Sequence, residues 1–247
     1  MLGALAAAAL AFVIASLMPL AAPRSGEDLV RARELMVQFV EAEARAAAEV
    51  TGIEVLDARV LQAMREVPRH AFLPEELWRY AYLPQPLPVH PEQNLAAPFL
   101  AALMLHLAAP RPEDVVFETG TDVGYQAALA ARLARRVYSV ELIPELARYA
   151  RERLAALGFD NVEVREGDGY YGWPEKAPFD VILIKEAVPD VPEPLWRQLA
   201  EGGRLVAPIG PALGQQWLTL VVKERGRPRM RRVLPVRFSP FQGGERL

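Results

Sequence analysis

The sequence predicts an α/β protein whose sheet is doubly wound and mostly parallel. The first observation is an apolar run at residues 115–117, followed by a turn with Gly120 and Gly124 and an Ala- and Leu-rich helix at 125–136. The second is a regular alternation of short apolar runs and helical segments after this turn. The third is that these runs are continuously apolar, which is typical of strands covered on both faces.

The elements after the turn can be placed in order. Strands are predicted at residues 136–140, 161–165, 180–184 and 204–209, and helices at residues 144–157 and 194–200. Two more strands, 216–224 and 230–238, are joined by the turn residues 225–228 and should form an antiparallel pair at the end of the chain.

The part before the turn is helical and rich in proline. Residues 28–50 predict a charged, Ala-rich helix with one apolar face, and Asp57 can cap a second helix that carries Val60, Leu61 and Met64. The prolines that follow predict an extended, irregular loop and lie at Pro84, Pro86, Pro88 and Pro91. Residues 98–108 predict a helix that leads to the glycine turn.

The first residues form an apolar leader. Residues 2–18 carry no charge, and Pro19 and Pro23 close the segment. Its length favours a signal peptide or a membrane anchor, hence a periplasmic or membrane-anchored protein, although no Lys or Arg precedes it. The alternative is an Ala-rich extension left by an early start codon, in a cytoplasmic protein. The predicted organisation is a leader at 1–23 and a single domain at 24–247, helical up to residue 109 and built on the sheet from 110 onward.

Composition excludes several classes of function. The net charge of −3 gives no electrostatic basis for binding nucleic acid. The absence of cysteine excludes disulfides, thiolate metal sites and cysteine nucleophiles. The histidines, His70, His90 and His106, match no metal-ligand spacing, so no metal site is predicted.

Acidic residues follow three successive predicted strands, at Glu118, Glu141 and Asp168. In an open parallel sheet these strand ends line one crevice, where ligands bind. A carboxylate about twenty residues after a glycine turn can accept hydrogen bonds from both ribose hydroxyls, and Glu141 follows Gly124 by seventeen residues. This pattern favours a site for a nucleoside-containing cofactor over the alternative that each acid merely caps a helix or faces solvent. Asp122 interrupts the dinucleotide pattern and would repel a pyrophosphate.

Several runs are similar to the protein-L-isoaspartate O-methyltransferase family. The resemblance extends from about residue 31 to the C-terminus and omits only the leader. The runs that carry it are RVLQAM at 59–64, VPRHAFLP at 67–74, GYQAA at 124–128, RVYSVE at 136–141, GDGY at 167–170, GWP at 172–174 and PVRF at 235–238.

The resemblance implies a class I, Rossmann-like methyltransferase fold that uses S-adenosyl-L-methionine. It implies methylation of the α-carboxylate of L-isoaspartyl residues in peptides or damaged proteins, which starts their repair, and we expect a monomer. The chemistry needs little more than proximity, because a carboxylate attacks an activated methyl group. The implied cofactor residues are Glu118, Gly120, Asp122, Gly124, Glu141, Asp168 and Gly169, and the implied substrate-loop residues are Asn94, Ala96, Pro98, Lys185 and Glu186.

The departures from the family pattern fall on loops that face the reaction. Asp122 stands where the family has a glycine, Ala96 where it has the active-site serine, and Lys185-Glu186 where it has Thr-Ala. They favour altered substrate use or lost activity. Two alternatives to an isoaspartyl methyltransferase follow: a non-catalytic relative that binds cofactor or peptide, and a methyltransferase for another small nucleophile.

Asp122 is the most consequential departure. Pointing at the cofactor carboxylate, it would cost roughly 1 to 4 kcal/mol at about 4 Å, depending on burial. The alternative orientations are toward the ammonium or sulfonium, which would help binding, or toward the following helix, which it would cap. We favour capping with a net penalty, which predicts that Asp122→Gly tightens cofactor binding.

Overall fold

The computed structural model describes residues 26–91 and 93–244. They form two compact units that are divided in the sequence between Leu103 and Met104. The leader predicted at residues 1–23 lies outside the described residues. Within the described ranges, no helix has the length and apolar character needed to cross a bilayer.

The first unit is mainly helical. Two 3-10 turns, Arg69–Phe72 and Glu75–Tyr80, follow its first three helices. Its regular elements are α1 (Gly26–Ala46), α2 (Ala48–Thr51), α3 (Ala58–Glu66), β1 (Leu87–His90), β2 (Gln93–Leu95) and α4 (Pro98–Ala108), the last of which continues past the division.

Helix α3 forms as the sequence predicts. The Asp57 carboxylate accepts a hydrogen bond from the Arg59 backbone N–H at 2.8 Å, which caps the helix. The apolar residues Val60, Leu61 and Met64 are buried. A salt bridge of 3.0 Å between Arg65 and Glu34 joins this helix to α1.

The proline-rich stretch is more regular than predicted. β1 and β2 pair antiparallel, with Leu87 opposite Leu95 and an irregular register between Pro88 and His90. The sequence indicates an irregular loop because Pro88 has no N–H to donate. A two-stranded hairpin tolerates this, since a proline on an edge strand removes no hydrogen bond that a neighbour needs.

The second unit is built on a seven-stranded sheet. Its strands are β3 (Val115–Thr119), β4 (Arg136–Glu141), β5 (Val162–Glu166), β6 (Phe179–Leu183), β7 (Leu199–Ile209), β8 (Gln216–Glu224) and β9 (Arg227–Val236), and its helices are α5 (Tyr125–Ala131), α6 (Pro144–Ala156) and α7 (Glu193–Gln198). The strand order is β5-β4-β3-β6-β7-β8-β9. The first five strands in this order are parallel and the last two antiparallel, which confirms the predicted fold class.

The core of the second unit lies on the sheet between β3 and β7. Phe117 of β3 and Phe179 of β6 are fully buried and stack with ring centroids 5.0 Å apart. Ile182, Leu195 and Leu205 belong to the same cluster. Burial of such side chains is the main stabilising contribution, about 1.5–3 kcal/mol for each large apolar residue.

Strand β7 begins earlier than its predicted start at residue 204. Leu199 already pairs with Phe179 of β6, and the register then shifts before Arg204 pairs with Val181. The sequence indicates a stop here because Gly202 and Gly203 are typical of a loop. In the structure the glycines lie inside an irregular strand, as they do at bulges.

Among the described residues, strand β9 lies at one edge of the seven-stranded sheet and pairs with β8 alone. Its first six residues are exposed. They include the four arginines Arg227, Arg229, Arg231 and Arg232, and the prolines of the strand are Pro228 and Pro235.

Candidate functional site

The glycine turn between β3 and α5 has three residues with a left-handed backbone. The φ angles are 62° at Gly120, 52° at Asp122 and 93° at Gly124. Glycine adopts this region at little cost, whereas Asp122 is strained there. Helix α5 begins after Gly124, so the turn delivers its N-terminus to the carboxyl ends of the strands.

Glu141, at the end of β4, is fixed against this turn. Its carboxylate accepts hydrogen bonds from the backbone N–H groups of Asp122 at 2.8 Å and Ile143 at 3.0 Å. The residue is buried, with 1% exposed. A carboxylate offers about four acceptor positions, so this one can still accept from a ligand.

Asp168, after β5, is held in the same way. Its carboxylate accepts hydrogen bonds from the backbone N–H groups of Tyr170 at 2.8 Å and Gly244 at 2.6 Å. The segment before Gly244 is anchored by Phe241, whose ring lies 6.3 Å from that of Tyr170. Gly169 leaves little room, because a Cβ there would approach Thr119 to 3.0 Å.

Glu118, at the end of β3, is held by hydroxyl groups that the sequence analysis does not single out. Ser139 of β4 donates to Glu118 Oε1 at 2.8 Å, and Thr121 is hydrogen-bonded to Ser139 at 2.5 Å. All three are fully buried. The available signal is a serine inside an otherwise apolar strand, since a buried hydroxyl needs a partner.

Lys185, just after β6, points at these acids. Its Nζ lies 3.4 Å from Asp122 Oδ2 and 3.9 Å from Glu118 Oε2. The lysine side chain is 8% exposed. The Asp122 carboxylate therefore pairs with Lys185, whereas the sequence predicts that it caps α5.

Glu186 completes the group. Its Oε2 accepts a hydrogen bond from the Thr119 hydroxyl at 2.7 Å. Gly120 lies against Oε1 of the same carboxylate, which a Cβ would displace, and its φ of 62° favours glycine at that position. The Lys185 backbone N–H also donates to Thr119, at 3.3 Å, which joins the ends of β3 and β6.

The electrostatics of this cluster follow from burial. Burial raises the pKa of Glu118 to about 7 and that of Glu186 to about 7, although Lys185 lowers both. Burial also raises the pKa values of Asp122 and Glu141. Burial alone would lower the pKa of Lys185, but the surrounding carboxylates raise it, so the ammonium is charged at neutral pH.

Three of the expected substrate-loop residues, Asn94, Ala96 and Pro98, lie in the first unit, whereas Lys185 and Glu186 lie in the second. Asn94 is exposed on β2, Ala96 is partly exposed, and Pro98 begins α4. The loop backbone is held by Arg69, which donates to the Ala96 carbonyl at 2.8 Å and the Ala81 carbonyl at 2.8 Å. Arg69 is fully buried, which the motif around it does not reveal.

The described part of the chain contains no group of three His, Cys, Asp or Glu side chains arranged to hold a metal ion. His70 is instead hydrogen-bonded through Nδ1 to the Tyr82 hydroxyl at 2.6 Å.

Comparison with known proteins identifies relatives over most of the chain. The family described as protein-L-isoaspartate(D-aspartate) O-methyltransferase matches residues 48–246. Protein-L-isoaspartate O-methyltransferase 2 of Syntrophobacter fumaroxidans is 47% identical over 214 residues, which is 86% of this chain and 87% of that protein. The protein of the same name from a Polaromonas species is 47% identical over 209 residues, 84% of this chain and 99% of that protein.

Solved structures agree with the fold. A protein-L-isoaspartate O-methyltransferase matches with a TM-score of 0.73 and 29% identity over 85% of this chain and 66% of that one. A protein-L-isoaspartate O-methyltransferase from Plasmodium falciparum, in complex with S-adenosyl-L-homocysteine, matches with a TM-score of 0.71 and 20% identity over 85% of this chain and 98% of that one. The match to the Plasmodium falciparum structure, at 20% identity, supports the fold and not the activity.

The parallel sheet, the glycine turn and the acids at the strand ends define a class I methyltransferase fold. The antiparallel β8 and β9 at one edge complete that fold. The chain belongs to the protein-L-isoaspartate(D-aspartate) O-methyltransferase family.

Proposed function

We propose that the protein transfers a methyl group from S-adenosyl-L-methionine to the α-carboxylate of L-isoaspartyl residues, as a step in protein repair. Relatives with this name match most of the chain at 47% identity. The observation that carries the proposal is the fixed Glu141 carboxylate beside the glycine turn, held by two backbone N–H groups.

The residues at the strand ends fit a nucleoside cofactor. Glu141 would accept hydrogen bonds from the ribose hydroxyls, and Asp168 with Gly169 would lie on the adenine side. Both carboxylates are held by pairs of backbone N–H groups and keep acceptor positions for a ligand. Preorganised acceptors of this kind need no rearrangement when the ligand binds.

The glycine turn would hold the methionine portion. Gly120 and Gly124 give the turn its left-handed backbone. Their own N–H groups donate to the Val140 and Thr121 carbonyls, so a ligand carboxylate would use other N–H groups of the turn. The remaining charges near this turn belong to Glu118, Asp122 and Lys185. The cofactor, when bound, supplies a methyl group that is activated by the positive sulfur.

The acceptor needs orientation more than activation. An isoaspartyl α-carboxylate is ionised at neutral pH and can attack without a base, so proximity provides most of the acceleration. The family resemblance assigns Asn94, Ala96 and Pro98 to the loop that binds the acceptor. Arg69 fixes the loop backbone through the Ala96 carbonyl.

A second function is favoured by the charges after β6. Lys185 and Glu186 place a charged pair where the family has small side chains, and Ala96 lacks a hydroxyl. These features support an acceptor other than an isoaspartyl carboxylate, or a relative that binds cofactor or peptide without transfer. Both alternatives keep the same cofactor residues.

Two measurements test the proposal. Titration calorimetry with S-adenosyl-L-methionine should give saturable binding to the purified protein. Transfer of a labelled methyl group to an isoaspartyl peptide should then exceed transfer to the same peptide with a normal aspartyl residue. Binding without transfer would favour the second function, and no binding would refute both.

We also propose that the apolar residues 2–18 direct the protein to the cell envelope, as a cleaved signal or an anchor, and that the rest acts as a monomer. Fractionation of cells that produce the full chain, with N-terminal sequencing of the product, tests the first statement. A full-length product in the cytoplasmic fraction would refute it. Light scattering of the purified protein tests the second.

A further inference from the structure

Lys185 is enclosed by acids from neighbouring strand ends. Its ammonium lies 3.4 Å from Asp122 Oδ2 and 3.9 Å from Glu118 Oε2. The lysine side chain is only 8% exposed, so water screens these contacts weakly. Its ammonium therefore pairs with Glu118 and Asp122. The carboxylates of Glu141 and Glu186 lie at the same strand ends, where they accept hydrogen bonds from the Asp122 backbone N–H and the Thr119 hydroxyl.

A second observation indicates that this cluster is built to meet a ligand. Glu118 Oε2 is fully buried and has no hydrogen-bond partner within the described ranges. Lys185 approaches it only to ion-pair distance. A buried carboxylate oxygen without a donor is costly unless another group satisfies it. The cluster thus holds four carboxyl groups beside one ammonium, and an acceptor that no donor of the described residues fills.

We propose that Lys185 and the four carboxyl groups around it set the preference of the site for the charged cofactor over its product. S-adenosyl-L-methionine carries a sulfonium, whereas S-adenosyl-L-homocysteine has a neutral thioether and is otherwise the same molecule. With the cofactor at the glycine turn, ionised carboxylates of this cluster would attract the first ligand more strongly than the second. The inference rests on the proposed function, because it places the cofactor at the glycine turn.

Lys185 has the opposite effect to the acids. Its ammonium repels the sulfonium, so it limits the preference that the carboxylates create. Removing this charge should raise the preference for the cofactor, and removing a carboxylate charge should lower it. Removing one unit charge near a partly buried ligand charge changes an affinity by roughly ten-fold or more.

The experiment measures the dissociation constants of both ligands by titration calorimetry at about pH 8.5, where Glu186 is ionised although burial raises its pKa to about 7. The quantity of interest is the ratio of the constant for S-adenosyl-L-homocysteine to that for S-adenosyl-L-methionine. Damage to the fold weakens both ligands together and leaves this ratio unchanged. The variants are Lys185→Met and Glu186→Gln, with Lys176→Met as the control, because Lys176 pairs with Glu163 at 3.3 Å and is not part of the cluster.

We expect the ratio to rise at least about five-fold in Lys185→Met, to fall at least about five-fold in Glu186→Gln, and to stay unchanged in Lys176→Met. If Lys185→Met does not fold, Glu186→Gln decides by itself, since Glu186 is partly exposed. If the parent protein binds both ligands and the ratio is the same in all variants, the inference is overturned and the proposed function is not. A parent protein that binds neither ligand would overturn the proposed function with it.

Discussion

The Lys185 ammonium lies 3.4 Å from the Asp122 carboxylate, so two residues that are 63 positions apart form one buried ion pair. Asp122 stands in the glycine turn with a left-handed backbone, and Lys185 follows β6. Each departs from the family pattern in a way that would be unfavourable alone. Together they neutralise one another, which changes what a substitution at either position should do.

The first prediction is that the pair is energetically coupled. Asp122→Asn leaves Lys185 without its nearest partner, and Lys185→Met leaves two buried acids without a cation, so each should lower the free energy of unfolding by about 2 kcal/mol or more. The double variant should be less destabilised than the sum by about 1–3 kcal/mol. Chemical unfolding of the four proteins measures this. Additive losses would contradict the pairing.

The same pairing revises the expectation for Asp122→Gly. A penalty for an aspartate that faces the cofactor predicts tighter binding in the glycine variant. Because the carboxylate is paired with Lys185, its removal leaves an unpaired buried ammonium. We expect Asp122→Gly to lose stability unless Lys185→Thr accompanies it.

The second prediction concerns Glu141. Glu141→Ala removes the acceptor proposed for the ribose hydroxyls and should weaken S-adenosyl-L-methionine binding by roughly 1.5–3 kcal/mol. Calorimetry at neutral pH measures it. Glu145→Ala, in the exposed first turn of α6, is the matched control. Equal affinities in the parent and Glu141→Ala would exclude a role for this carboxylate.

The third prediction concerns Ala96. A serine hydroxyl could donate to an incoming carboxylate, whereas alanine cannot. The bond is worth about 1.5–3 kcal/mol, or roughly ten- to a hundred-fold in rate. We expect weak isoaspartyl methylation in the parent and faster methylation in Ala96→Ser, followed as labelled methyl transfer. Ala97→Ser is the control, and the same gain there would show that the position is not specific.

The fourth prediction concerns pH and the first unit. Burial raises the pKa of Glu43 in α1 from 4.5 to about 7. The native protein then holds a proton that the unfolded chain has lost, so this residue makes stability fall as pH rises from about 4.5 to about 7. Glu43→Gln should lose less stability than the parent between pH 5 and pH 8.

Thermal unfolding across that range measures the effect as a difference between parent and variant, because other groups titrate in both. Glu49→Gln, an exposed glutamate of α2, controls for the loss of a surface charge. A constant difference between parent and Glu43→Gln would mean that Glu43 keeps its ordinary pKa in the folded protein.

The sequence predicts the layout of the sheet well. Residues 115–117, 136–140 and 216–224 were expected as strands and lie in β3, β4 and β8. These segments are apolar over their whole length and are bounded by turn residues, so local pattern and tertiary structure agree. The predictions fail where the local pattern and the tertiary structure disagree. Gly202 and Gly203 are an example, because they lie within β7 although glycine favours a loop.

The backbone of the site could also be predicted, but its side-chain partners could not. The positions of Glu141 and Asp168 follow from the rule that ligands bind at the ends of parallel strands. The pairing of Asp122 with Lys185 depends on which way two flexible side chains turn, and sequence spacing carries no information about that. The Ser139 contact to Glu118 is hidden for the same reason, since it joins neighbouring strands that are 21 positions apart in the chain.

Strand β9 has a consequence for the protein in a crowded solution. An edge strand with free N–H and C=O groups is a template on which another chain can add, and this is how sheets grow into aggregates. The exposed arginines of β9 would bring like charges together if two such edges met, and Pro228 and Pro235 offer no N–H for pairing. The sheet thus ends on this side in a strand that is poorly suited to pair with a further strand, which reduces aggregation through this edge.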